Sequence, residues 1–168
     1  MGPHISHDPS SQAVLDSLRK IVQVLRESSR RAEQRLGISG AQLFVLEKLA
    51  DGSSQSLNDL ASRTFTHQSS VSTVVTRLVE QGLVSRQRSA GDSRKVELVL
   101  TPRGRRLAAQ TTGAAQEQLI QSIRRMPVRT RNELALLLDE LVSGMKVTER
   151  KPRMFFDDDR KRSNRRNA

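Results

Sequence analysis

Between Ser56 and Thr101 the apolar residues change their spacing, and that change restricts the chain to a small set of folds. Leu57, Leu60 and Ala61 mark one face of a short helix capped by Ser56. After a four-residue turn, Thr64 to His67, the segment from Gln68 to Gln81 carries Val71, Val74, Val75, Leu78 and Val79 as the stripe of an amphipathic helix. Gly82 stands where a C′ glycine ends such a helix. The two helices have the proportions of a helix-turn-helix. From Leu83 the period drops to two. Leu83 to Arg88 is one short strand, and Val96, Leu98 and Leu100 alternate with Glu97, Val99 and Thr101 in a second. The turn-forming run Ser89-Ala90-Gly91-Asp92-Ser93 joins them into a β-hairpin.

Helical periodicity flanks this block on both sides. Val14, Leu18, Ile21, Val22 and Leu25 stripe a helix from about Ser11 to Leu36. After a break at Gly37–Gly40, Ser39 and Gln42 form a capping box for a helix with Leu43, Phe44, Leu46 and Leu49, closed by Asp51-Gly52. Thr101-Pro102 opens a long helix to about Ile123, weakened around Thr111-Thr112-Gly113. Beyond Pro127 a last helix carries Leu134, Leu137, Leu138, Leu141, Val142 and Met145. The expected fold is mainly α with a small β-hairpin wing: a winged helix-turn-helix whose N- and C-terminal helices form a dimerisation domain. The stripes on those end helices are wider than so small a domain can cover, and an uncovered stripe marks an interface. The expected division is a flexible leader at 1–10, a helical dimerisation region at 11–36 and 102–148, a DNA-binding region at 37–101, and a basic, disordered tail at 149–168. Phe155 and Phe156 are expected to dock back onto the body.

Charge locates the partner. The 168 residues hold 29 Lys and Arg against 18 Asp and Glu, a net of +11. Seven of the cations (Arg86, Arg88, Arg94, Lys95, Arg103, Arg105 and Arg106) face only two acids, Asp92 and Glu97, within residues 83–106. The second excess lies in the tail. A concentrated basic segment is the electrostatic footprint of a polyanion binder. Cysteine is absent, which excludes disulfides, thiolate metal sites and thiol-based redox sensing. His4, His7 and His67 form no ligand-spaced cluster, so neither a metal nor another cofactor is expected. No G-x-S-x-G, Walker loop or H-E-x-x-H occurs, and an enzyme is not expected. The longest apolar run is the five residues from Leu134 to Leu138, when a membrane span needs about 20, and no secretory signal fits. The expected location is the cytoplasm.

The fourth helix and the hairpin carry the candidate site. A helix fits the major groove, and Gln68, Ser69, Ser72, Thr73 and Thr76 form a polar face of short donors and acceptors that lets the backbone approach base edges. Gln68 suits a bidentate contact to adenine, and Arg77 a phosphate or a guanine edge. On the hairpin, Arg94 is placed to enter a narrow minor groove, with Asp92 holding the tip in shape. Arg86, Arg88 and Lys95 would meet phosphates.

With those residues in view the chain resembles the MarR family of bacterial transcriptional regulators over about residues 11–148. The likeness rests on Leu60-Ala61, Gln68-Ser69-Ser70-Val71, Arg77-Leu78, Gly82-Leu83-Val84, Asp92-Ser93-Arg94 and Leu100-Thr101, the D-x-R wing before a strand ending in Leu-Thr being the most specific. The resemblance implies a homodimer bound to a pseudo-palindromic operator, usually as a repressor. It places the recognition helix at Gln68 through Arg77, Ser70 included, and Asp92 and Arg94 on the wing. It also implies release by a small organic ligand, phenolic or carboxylate, in a cleft between the dimer and DNA-binding lobes. With Tyr and Trp absent, such a ligand would rest on aliphatic side chains, Phe44 or cations, with Arg19 or Lys20 as candidate carboxylate partners. The family's turn commonly has a small residue or Gly where this chain has Phe65. Two other readings compete with the repressor. One is a low-specificity architectural DNA-binding protein, suggested by the basic tail; the other is a protein-interaction module, which the basic wing disfavours.

Overall fold

A computed structural model describes residues 8–51, 55–89, 95–110, 113–145 and 153–157. Helix α1 (Pro9–Leu36) starts ahead of the expected Ser11, because the Asp8 side chain accepts from the Ser10 and Ser11 amides and Pro9 occupies the first turn. The capping box of Ser39 and Gln42 opens α2 (Gly40–Ala50). A second box, Ser56 with Asp59, opens α3 (Leu57–Arg63), and α4 (Gln68–Glu80) comes next. Strands β1 (Val84–Arg88) and β2 (Val96–Leu100) pair antiparallel, Val84 opposite Leu100 and Arg88 opposite Val96. Gln55 adds one bridge to the outer side of β2, its carbonyl accepting from the Leu98 amide at 2.8 Å. The result is a mostly helical fold with a two-stranded wing.

The core lies between α2, α3, α4 and the base of the wing. Leu46, Leu60, Val71, Val74, Val75 and Leu78 are fully buried there, with Phe44 and Leu98 beside them. Phe44, one of the side chains considered for a ligand, is part of the core. In β2 only Leu98 and Leu100 turn inward; Val96 is exposed.

The long helix expected from Pro102 to Ile123 is two helices, α5 (Pro102–Ala108) and α6 (Ala115–Arg125). The break has a tertiary cause as well as a local one. Gly113 takes a left-handed φ of 93°, and the first amides of α6 are claimed by other elements. The Ala114 amide donates to Glu47 of α2 at 2.8 Å and the Ala115 amide to Ser28 of α1 at 3.3 Å. These bonds cap a helix whose own N-cap residue has no polar side chain. An ion pair between Lys48 and Glu117 at 2.6 Å ties α2 to α6 again. The last helix, α7 (Val128–Gly144), starts after Pro127 as expected.

The foot of the wing depends on one close approach. The Thr101 side chain caps α5 and donates to the Gly82 carbonyl at 2.8 Å. This brings Gly104 so near Leu83 that a Cβ would lie 2.0 Å from its carbonyl oxygen. Gly104→Ala should therefore destabilise by about 1–3 kcal/mol or more. Gly82→Ala has open space and only the left-handed φ of 66° against it, so about 1 kcal/mol is expected. Chemical denaturation of both variants checks the order.

Burial works to raise the Glu117 pKa, but hydrogen bonds from Gln121 and Lys48 outweigh it and hold the carboxyl below its usual range. A depressed folded value adds stability above the unfolded value, and that stability is lost as pH falls through the folded one. Glu117→Gln should therefore flatten the acid side of a Tm-against-pH curve and lower Tm near neutrality.

Candidate nucleic-acid interface

α4 sorts its side chains by face. Val71, Val74, Val75 and Leu78 point into the core, while Gln68, Ser69, Thr73 and Thr76 are exposed and Ser72 is half-buried at the rim. These five form one continuous polar surface, as the sequence suggested. Ser70 does not join it: at 9% exposure it lies on the buried side, next to Val71. Arg77 is also off this surface. Its guanidinium donates to Asp157 at 2.6 Å and also to that residue's backbone carbonyl, so the structure gives it to an intrachain partner.

The helix is oriented by the ends of α3 and α4, which use the same device. At the end of α4 the Gly82 amide donates to the Val79 carbonyl and the Leu83 amide to the Leu78 carbonyl. At the end of α3 the Phe65 amide donates to Ser62 and the Thr66 amide to Ala61. Both are Schellman closures, which require a left-handed residue after the cap. Gly82 fits that role without strain; Phe65 adopts it at φ 52° with its ring 65% exposed. The turn geometry thus survives the unusual residue, whose ring lies 5.7 Å from the Arg124 guanidinium. Phe65→Gly should be more stable than Phe65→Ala by about 1 kcal/mol, because only Ala keeps the left-handed penalty. Thermal melts of the two variants test it.

The basic segment splits into two sets. Arg103 donates to the Gln81 carbonyl at 3.1 Å and Arg105 to the Leu100 carbonyl at 2.6 Å, so both stitch α5 to the wing base. Arg86 and Arg88 are exposed on β1, and the Arg86 guanidinium reaches Thr76 of α4 at 3.4 Å. Lys95 is exposed at the start of β2. It is close enough to Asp59 to help lower that carboxyl's pKa, although the Ser56 hydroxyl is the larger cause. Of the wing's cations, Arg86 thus stands beside the polar face of α4. Asp92 and Arg94, expected at the tip of the wing, lie outside the described residues.

Two further features come from packing. Residues 153–157 dock on the body, as expected of Phe155 and Phe156, but the residues they bury are Met154 and Asp157. Met154 joins the core, Phe155 stays 53% exposed, and Gln116 of α6 donates to the Phe155 carbonyl at 3.1 Å. Local periodicity cannot reveal such a contact, since its partners lie 39 and 80 residues away. The second is a cleft of about 280 Å³ between α1, α2 and the start of α6, lined among others by Val24, Ser28, Arg31, Arg35, Leu43 and Gln118. Arg19 and Lys20 are not among its lining residues; Arg19 pairs with Asp16.

A winged helix-turn-helix whose second helix carries an exposed polar face, followed by a basic wing, defines the class. Residues 36–95 match the model of the MarR family. The chain is 30% identical over 88 residues to the HTH-type transcriptional repressor MdtR of Bacillus subtilis (strain 168), a match covering 52% of this chain and 57% of that protein. Among solved structures it resembles the transcriptional regulator BldR from Sulfolobus solfataricus, at 23% identity and a TM-score of 0.52, over 80% of this chain and 95% of that one. It also resembles Bordetella bronchiseptica BpsR, whose DNA binding is regulated by 6-hydroxynicotinic acid, at 26% identity and a TM-score of 0.51 over 84% of this chain and 98% of that one.

Proposed function

We propose that this protein is a DNA-binding transcriptional repressor that acts as a homodimer on a pseudo-palindromic operator. The observation that carries the reading is the continuity of two surfaces: the polar face of α4, Gln68, Ser69, Thr73 and Thr76 exposed with Ser72 at its rim, and the wing, whose exposed Arg86 reaches Thr76 of that face and is joined on the hairpin by the exposed Arg88 and Lys95. Short polar side chains let a helix backbone settle into the major groove, and flanking cations neutralise the phosphates that border it. In this reading Gln68 reads a base edge and the wing residues Asp92 and Arg94 extend the contact to the minor groove. Residues 37–101 form the DNA-binding region, and 11–36 with 102–148 the dimerisation region. The repressor MdtR, similar over half of this chain, supports the regulatory role.

The dimer is argued from the surface that the end helices leave uncovered. No residue of α7 is buried, yet it carries Leu136, Leu137, Leu138, Leu141 and Val142 exposed. On α1 Val14, Leu15, Ile21, Val22 and Val24 are exposed in the same way. So much apolar surface on two helices is the mark of an isologous interface. A twofold dimer would set two α4 helices about 34 Å apart, one turn of DNA. Leu138→Glu with Leu141→Glu should give a monomer by sedimentation and lose the preference for inverted repeats.

Release by a small organic acid is the finer part of the proposal. The cleft beside α1 is near the lower size limit for a ligand site and has two guanidinium groups, Arg31 and Arg35, among its lining. The regulation of BpsR by an aromatic carboxylate supports this ligand class. The whole reading is tested by fluorescence anisotropy with DNA from upstream of the protein's own gene against a scrambled duplex. A preference of about a thousandfold or more is expected. Arg86→Ala and Arg88→Ala should each lower the salt slope by about 1, while Gln68→Ala should relax sequence preference instead. Equal affinity for both duplexes would favour the architectural reading. Titration of the complex with aromatic carboxylates, repeated with Arg31→Ala and Arg35→Ala, tests the effector site.

A further inference from the structure

Helix α6 is held to the helix-turn-helix region at two separate points. At the first, the Ala114 amide donates to Glu47 and Lys48 pairs with Glu117, both tying the start of α6 to α2. At the second, a short strap from Arg153 to Asp157 joins α6 to α4. The buried Gln116 of α6 donates to the Phe155 carbonyl at 3.1 Å. Two residues on, the buried Asp157 accepts from Arg77 of α4, through its carboxylate at 2.6 Å and through its own carbonyl. Met154 lies within the core and plugs the strap in place.

One tie between two elements leaves a hinge, and a second tie removes it. The second tie here is charge-assisted and withdrawn from water, which makes it one of the stronger kinds of side-chain contact. Arg77 is off the polar face of α4, so its pairing holds the helix without using the surface proposed to meet DNA. The consequence is geometric, because α6 belongs to the proposed dimerisation region and α4 is the proposed reading helix. In a twofold dimer each α4 would lie about 17 Å from the axis, and a tilt of about 10° at the joint would displace it by about 3 Å, close to the rise of one base pair.

We propose that the Met154–Asp157 strap is a brace that sets operator spacing: by fixing α4 against α6 it confines the dimer to one separation of half-sites, with Arg77, Asp157 and Gln116 as positioning residues. The proposal rests on the homodimeric DNA-binding reading above. None of the three residues has to touch DNA. The exposed face of α4 reads each half-site, and the strap determines which distance between two such half-sites the dimer accepts. Loss of either end of the strap frees the same joint, so the effects of losing both ends do not add.

The test begins with a pool of random-sequence duplexes of about 30 bp, from which the unaltered full chain selects its preferred inverted repeat. Affinities are then measured for that repeat, for versions with one base pair added or removed between the half-sites, and for an isolated half-site. Four forms of the full chain are compared: unaltered, Asp157→Asn, Gln116→Ala, and both changes together. The unaltered protein should bind the altered spacings about tenfold or more weaker than the selected one. Each single variant should cut that ratio to about threefold or less while its half-site affinity stays within about twofold of the unaltered protein's. The double variant should discriminate no worse than the poorer single one. Circular dichroism melts establish that each form is folded at the assay temperature. An equal loss of affinity on every duplex, with the spacing preference kept, would make the strap a stabilising contact only and overturn the brace. Additive losses in the double variant would overturn action through one joint. Selection of no inverted repeat by the unaltered protein would remove the dimeric operator reading together with the brace.

Discussion

The seating of α4 governs the polar face and the wing beside it. Val71, Val74, Val75 and Leu78 are wholly buried, each contributing about 1.5–3 kcal/mol of burial, and together they leave the helix one way to lie. With that face committed to the core, Gln68, Ser69, Thr73 and Thr76 have no option but to face outward. The ends of the helix make the placement rigid. Schellman closures after α3 and α4 fix where the helix is entered and left, and the second of them hands the chain directly to β1. The position of the wing is thus a consequence of how α4 packs.

Charge is distributed by the same logic. A run of cations along the sequence is divided by the fold into residues that stitch and residues that stay outward. Arg103 and Arg105 donate to carbonyls at the end of α4 and of β2, and so tie α5 to both. Arg86 and Arg88 stand exposed on β1, Arg86 beside the polar face. Arg77 goes the other way: its sequence position suggested a DNA contact, and the structure turns it toward Asp157. A positive residue near a recognition helix therefore cannot be assigned to DNA from its register alone.

Much of the fold was legible because its signals are local. The capping box of Ser39, the Ser56 cap, the Thr101-Pro102 start, Gly82 and the change from helical to alternating spacing all act within a few residues, and α2, α3 and α5 begin where those caps placed them. The polar face of α4 was legible for the same reason, since helical periodicity maps a sequence onto faces without reference to the rest of the chain. Ser70, which the family resemblance and not the periodicity added to the candidate residues, lies on the buried side, where the helical spacing itself puts it.

The sequence by itself determined the element order, the helix-turn-helix with its wing, and which face of α4 is polar, because hydrogen-bonded caps and side-chain periodicity are short-range. Tertiary structure alone decided the break between α5 and α6, where Glu47 and Ser28 take amides that a continuous helix would have used internally. It decided the docking of Met154 and Asp157, and the gathering of Arg31 and Arg35 at a cleft with residues of α2 and α6. Those features join residues tens of positions apart, and such contacts depend on how finished elements pack, which no local pattern encodes.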